Sequence, residues 1–269
     1  MGRFTMLVAA AAVAVWVSPA GAQDNLTGRQ IMDEVSERHD RPFEFEVQKM
    51  TLIDRSGNEE KRDVQRYARE ISDDETRYLM AFHAPSGIRG TALLTWQQDN
   101  QDDDQWLYLP AQGNRAKRIA EGGRKNYFMG TDYTFEDLIS ESRDKFSYER
   151  LPDETIDGTE YFVVDAFPQD ATVKAETGYK SRRFFVLKDI FFIARTDYFD
   201  RRGRFIKKQA AEQIEQIDGD MYRARISLMD NEKLKHKTRI EVIERTFEEG
   251  DVPEQLFHTR FITSNRHLR

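Results

Sequence analysis

Residues 183–228 read RFFVLKDIFFIARTDYFDRRGRFIKKQAAEQIEQIDGDMYRARISL, and this stretch decides the fold. Arg183 to Leu187, Ile190 to Phe199, Phe205 to Ile217 and Tyr222 to Leu228 are successive strand-like runs. Lys188-Asp189, Arg201-Arg-Gly203 and Asp218-Gly219 separate them. In the last run Tyr222, Ala224, Ile226 and Leu228 face one way, and Arg223, Arg225 and Ser227 the other. Strands joined by such short turns form an antiparallel meander.

Reading outward, the same texture continues. Lys237 to Thr246 is a last long strand, followed by a turn or short helix over Val252 to Leu256. Upstream, Asp157-Gly158 is a hairpin turn feeding Glu160 to Phe167. Tyr78 to Phe82, Thr91 to Trp96 and Gln105 to Leu109 are further strands, with an acidic hairpin tip over Gln97 to Asp104. Phe43, Phe45 and Val47 alternate with Glu44, Glu46 and Gln48, the pattern of a half-buried strand. Lys61 to Ile71 is more polar and reads as a strand near an edge. Two helices are expected: Leu26 to Arg38, capped by Thr27, and a short one over Thr134 to Ser140. Thr134 and Asp137 have capping-box spacing there. Between strands and short helix lie a basic stretch starting at Arg115 to Ile119 and a glycine-rich segment, Glu121 to Thr131, expected to be a mobile loop. No strand–helix–strand alternation occurs, which argues against a parallel nucleotide-binding sheet.

Composition narrows the class. Arg3 precedes a short apolar run from Met6 to Val17, then Pro19 and the small-x-small triplet Ala20-Gly21-Ala22. This predicts a cleaved signal peptide over 1–22, with the mature chain starting at Gln23 as one domain over 23–269. The apolar run is shorter than the roughly 20 residues a spanning helix needs. The chain has 269 residues and no cysteine, so an exported form relies on its core rather than disulfides. A periplasmic protein, monomeric when free, is the expectation. The net charge of −7 argues against general nucleic-acid binding.

Familiar catalytic and metal signatures are missing. His39, His83, His236, His258 and His267 show no i, i+4 pairing for a metal. Nucleophile elbow, P-loop and dinucleotide fingerprint are absent, and Asp102-Asp103-Asp104 lacks the spaced ligands of a calcium loop. Neither cofactor nor catalytic residue is expected.

What the sequence does show is apolar content on both faces of several strands. Leu79 and Ala81 oppose Tyr78, Met80 and Phe82; Phe184 and Val186 oppose Phe185 and Leu187; Ile190, Phe192 and Ala194 oppose Phe191 and Ile193. Such strands are covered on both sides, either by core and a packed helix or by an apolar ligand cavity on a curved sheet. The candidate cavity residues are Phe45, Val47, Met80, Phe82 and Leu94; the central aromatics Trp96, Trp106, Tyr108, Phe128 and Tyr133 with Met129; and, later in the chain, Phe162, Val164, Phe185 and Phe192.

The block from Tyr78 to Leu94 (YLMAFHAPSGIRGTALL), with Gln105 to Ala111, Arg118-Ile119 and Phe128 to Leu138, resembles the outer-membrane lipoprotein-sorting protein family of LolA-like periplasmic carriers. Tyr198 to Gly203, Ile217 to Gly219, Thr238 and Pro253 to Phe257 also match its pattern. The resemblance implies a mainly β (α+β) fold: a strongly curved antiparallel sheet or open half-barrel, with helices on the concave face. It also implies a hydrophobic cavity for lipid or lipoprotein acyl chains moved between inner and outer membrane, and an inner-membrane RND-type transporter as partner. The Gln97 to Asp104 insertion departs from LolA proper and leaves the cargo open between lipoprotein and free lipid. An envelope-stress sensor of the RseB type, and a periplasmic enzyme, are the alternative readings.

Overall fold

The computed structural model describes residues 25–99, 101–120 and 122–268. The expected leader lies outside them. Thirteen antiparallel strands form one sheet: β1 (Phe43–Ile53), β2 (Glu59–Ser72), β3 (Glu75–Ala84), β4 (Ala92–Gln98), β5 (Asp104–Tyr108), β6 (Ala116–Arg118), β7 (Phe146–Ile156), β8 (Thr159–Pro168), β9 (Tyr179–Leu187), β10 (Phe192–Asp200), β11 (Phe205–Asp218), β12 (Met221–Asn231) and β13 (His236–Thr246). Their spatial order is β6-β5-β4-β3-β2-β1-β13-β12-β11-β10-β9-β8-β7. Two meanders are thus joined where β1 pairs with β13, and the free edges are β6 and β7. The mainly β, curved and unclosed sheet is the fold class the sequence predicts. Turn chemistry supports it locally: Asp157 and Gly158 both take positive φ (50° and 82°) in the β7–β8 turn, as a tight primed hairpin requires.

The curvature is visible in the packing. Met50, Val64, Met80 and Leu93 from β1 to β4 share one core cluster with Tyr179, Tyr198, Met229 and Ile240 from β9, β10, β12 and β13. Strands so far apart in sheet order meet only if the sheet curls over a common inner face.

Two chain segments occupy that inner face. Helix α1 (Gly28–His39) starts at a capping box between Thr27 and Gln30. It buries Ile31 and Met32 against Phe162, Val164, Phe184 and Val186, at about 1.5–3 kcal/mol per side chain. The connection from β6 to β7 supplies Phe128, Tyr133 and Phe135 to the inner core. Phe128 is fully buried, against Phe82 (ring centroids 5.8 Å) and Phe135 (5.3 Å). The glycine-rich stretch expected to be a mobile loop therefore carries one of the deepest rings. Arg62 donates to the Met129 carbonyl at 2.7 Å, and Asp132 and Thr238 exchange hydrogen bonds at 2.8 and 2.9 Å, so it is tied down at several points. Further along, Phe135–Leu138 form a 3₁₀ turn with the Thr134–Asp137 capping box in place.

The outer face of β3 to β5 is covered differently. Val252, Phe257 and Ile262, from the segment after β13 and the short helix α3 (Thr259–Thr263), pack on Leu79, Ala92, Leu94 and Tyr108. Among the described residues the remaining α-helix, α2 (Ala171–Glu176), links β8 to β9. One expectation is corrected: the polar strand β2 is not near an edge but lies between β1 and β3. Two of its charges, Arg62 and Arg66, are held inside by their partners, Arg66 with Glu44 and Glu46, and Arg62 with Glu60, while Glu59, Lys61, Asp63 and Glu70 stay exposed.

Candidate functional site

Alternation along β1 places Glu44, Glu46, Gln48, Met50 and Leu52 inside, and Phe43, Phe45 and Val47 outside. The inner lining is therefore apolar at one end of the strand and charged at the other. Glu44 lies 2.9 Å from Arg223 and 3.1 Å from Arg245. Glu46 lies 2.6 Å from Arg245 and accepts from Gln48 at 2.6 Å. Burial raises the Glu44 carboxyl, but Arg223 and Arg66 outweigh it and hold the group below the usual glutamate range.

A second network centres on Arg182 of β9, which is buried between two carboxylates. It donates to Glu141 at 3.0 Å, lies 3.8 Å from Glu136, and stands over the rings of Phe146, Tyr179 and Tyr198. Tyr148 donates to the other oxygen of Glu141 at 2.6 Å. Burial pushes both glutamates up, against the opposing pull of Arg182. Next to them, Lys207 and Asp137 form a fully buried pair at 2.5 Å, and Tyr179 donates to Asp137 at 3.0 Å. Burial raises Asp137 too, but Lys207 and then Arg182 win and its pKa is lowered.

These networks pin the segment from Tyr133 to Ser142 across the inner face. Tyr78 and Gln97 hold its far end through Ser140 and Ser142, at 3.0 to 3.1 Å. Two chambers of the interior flank the pinned segment. One, of 350 Å³, lies between α1 and β9 to β11; its apolar lining is Met32, Val35, Phe184, Ile193, Ala194 and Ala211. The other, of 300 Å³, lies over β1 to β3 and β11 to β13; its apolar lining includes Met80, Leu138, Ile139, Ile240 and Val242. Asp137, Ile139, Ser140 and Gln209 border both. Each volume is at the small-ligand end of known binding cavities, roughly 300–1,000 Å³.

The residues singled out from sequence do not share one face. Met80 and Tyr133 line the second chamber. Phe82 and Phe128 are fully buried in the adjoining core, and Met129 packs against it. Phe162 and Val164 lie inside but beneath α1. Phe45, Leu94, Trp96, Trp106 and Tyr108 are on the outer face under the C-terminal segment, where Trp96 donates to the Phe257 carbonyl at 3.0 Å. Val47 is on that outer face as well, half-buried. Phe185 is outside on β9, under the Arg195 guanidinium. Phe192 meets His39 edge-on, with ring centroids 5.3 Å apart. Arg182, Lys207, Ile139 and Val242 were missed: charged residues and the loop apolar Ile139 carry no cavity signal in sequence, and Val242 lies on a strand whose inner side the sequence does not reveal. No group of three or more metal-capable side chains occurs among the described residues, and no helix among them is long and apolar enough to cross a membrane.

A family model described only as "Uncharacterized protein" matches residues 74–264. The chain belongs to that family. No curated protein matches it. Among solved structures, a putative outer membrane lipoprotein-sorting protein domain from Vibrio parahaemolyticus superposes with TM-score 0.81 at 26% identity, covering 88% of this chain and 98% of that one. A DUF1329 family protein from Desulfovibrio piger gives 0.79 at 24% identity, covering 86% and 95%. A LolA superfamily protein from Nitrosomonas europaea gives 0.67 at 17%, covering 87% and 98%. The fold is LolA-like, as the sequence resemblance implies.

Proposed function

We propose that this protein is a periplasmic carrier that takes up the acyl chains of a lipid or lipoprotein in the two inner chambers and moves them between membranes. The observation that carries the reading is the pair of chambers, each joining an apolar patch to paired charges, that meet at Asp137 to Ser140 on the inner face of a LolA-like sheet. An acyl chain leaves a membrane only if an equivalent apolar surface receives it, each methylene being worth about 0.8 kcal/mol. Paired charges at the chamber walls suit an amphiphile with a polar head rather than a plain hydrocarbon. The leader-like N-terminus supports export, and the family resemblance adds an inner-membrane RND-type transporter as donor.

The test fills the chambers. Ala211→Trp blocks the one beside α1 and Val242→Trp the other; both positions are half-buried, so the fold should survive. Each variant is expected to weaken binding of a fluorescent fatty acid at least tenfold with little change in melting temperature. Protein isolated from its own cell envelope should carry lipid visible by native mass spectrometry. A wild type that binds no amphiphile, and a pair of variants that bind as the wild type does, both count against the carrier.

A further inference from the structure

Another cavity lies apart from the chambers, at the free edge of the sheet. It measures 410 Å³, and its floor is Leu107, Leu109, Ile119 and Phe135. Among the described residues its charged lining is Arg115, Lys117 and Arg118, with no carboxylate. The two inner chambers, by contrast, mix acids and bases. Arg118 is engaged, in an ion pair with Asp104, and Lys117 donates to the neutral Gln112 at 2.9 Å. Among the described residues neither Arg115 nor Lys117 has an ion-pair partner, and both side chains are exposed. Strand β6 has only β5 beside it, so the groove opens along an unpaired edge. A concentration of free cations over an apolar floor is unexpected in a chain of net charge −7. Its complement is a negative charge attached to hydrocarbon.

We propose that this edge groove docks the protein on an anionic phospholipid surface. Arg115 and Lys117 meet lipid phosphates, and Leu109 and Ile119 meet the glycerol and the first acyl carbons. The site is separate from the carrier chambers and does not depend on them. It places β6 and the chain leading from it into the interior at the membrane, where cargo would enter or leave.

The experiment is vesicle flotation of the full mature chain. Phosphatidylcholine vesicles are compared with vesicles also containing phosphatidylglycerol, and fluorescent fatty-acid binding is measured on the same samples. Wild type should prefer the anionic vesicles. A basic residue near such a surface is worth roughly a factor of five, so Arg115→Gln with Lys117→Gln should lower the partition roughly 25-fold. Leu109→Gln, which changes no charge and lies outside the core clusters, should lower it a few-fold. All variants should keep wild-type fatty-acid binding and melting temperature. Equal binding to neutral and anionic vesicles, or undiminished binding by the double variant, overturns the proposal. Undiminished binding by Leu109→Gln overturns the groove, since charge alone would then suffice. Failure of fatty-acid binding in wild type counts against the carrier reading and leaves this one standing on the vesicle result.

Discussion

Arg182 shows how a single residue sets conditions for its surroundings. Two buried carboxylates depend on it, and both already sit above their ordinary pKa because burial disfavours the charged form. Replacing it with methionine leaves them uncompensated, which typically costs about 3–5 kcal/mol near neutral pH. The sign of the pH dependence follows. For a carboxyl whose folded pKa is raised, its contribution is most favourable below the unfolded value and is lost as pH rises through the folded value. Without the arginine those folded values climb further, so the stability deficit of Arg182→Met should shrink as pH falls from about 8 to about 5. Urea titrations of both proteins across that range check it; a deficit that stays constant or grows would show the carboxylates to be indifferent to Arg182. Glu44 and Asp137 run oppositely. Their pKa values are lowered, so their contribution is full above the unfolded value and fades as pH falls through the folded one. Sequence alternation assigned Glu44 and Glu46 to one face of β1. It could not reveal that this is the inner face, because their partners Arg223 and Arg245 lie nearly 180 and 200 residues away.

At the scale of elements, α1 is legible from its cap and apolar spacing, and its boundaries fall within a residue or two of expectation. How closely it docks is not legible. A Cβ on Gly28 would lie 3.0 Å from the Arg150 amide nitrogen and 3.1 Å from the Tyr148 carbonyl, both backbone atoms of β7. Gly28→Ala should therefore push the helix N-terminus off the strand, at about 1–3 kcal/mol as for other overpacked sites. In an exposed helix the same change would be stabilising by about 1 kcal/mol. Thermal melts distinguish the two signs. The C-terminal end is held by His39, whose ring meets the Ile190 and Phe191 carbonyls at 3.2 Å and accepts from the Tyr222 amide at 3.2 Å. Those bonds need a neutral imidazole, and burial lowers its pKa. The anchor is present above the ordinary histidine value and weakens as pH falls through the folded one. Protection of the Tyr222 amide, corrected for its intrinsic exchange rate at each pH, should fall on acidification through that range; corrected protection that is flat with pH would exclude the anchor. Strand existence was similarly readable from period two, but the buried side was not. In β3 and β4 one apolar face meets the inner core and the other meets the C-terminal segment, so alternation gave no preferred side.

For the whole molecule, the outer cover is as necessary as the inner one. Phe257 is fully buried at the centre of the C-terminal patch, against the side of β3 to β5 that carries Leu79 and Leu94. Phe257→Ala should cost about 3–5 kcal/mol while leaving fatty-acid affinity of the folded fraction unchanged, since the chambers lie across the sheet. Chemical denaturation and binding on one preparation test both halves; lost affinity in the folded fraction would mean that the two faces are coupled. Sequence alone sent Trp96, Trp106 and Tyr108 to the cavity because aromatic content says how much surface must be hidden, not which of two covers hides it.

The gap between β6 and β7 makes the sheet a split ring. A closed barrel fixes its own girth, because every strand is bonded on both sides and any widening must break a ladder. Here the cut falls between two strands that are neighbours in sequence, and the chain between them runs through the middle of the ring. Such a ring can spread like a spring clip while all twelve strand pairings persist. What resists is the core packing and the side-chain ties across the bore. On the carrier reading proposed above, the bore would be set by what it grips, and one scaffold would hold loads of different thickness without a change in its hydrogen-bonded frame.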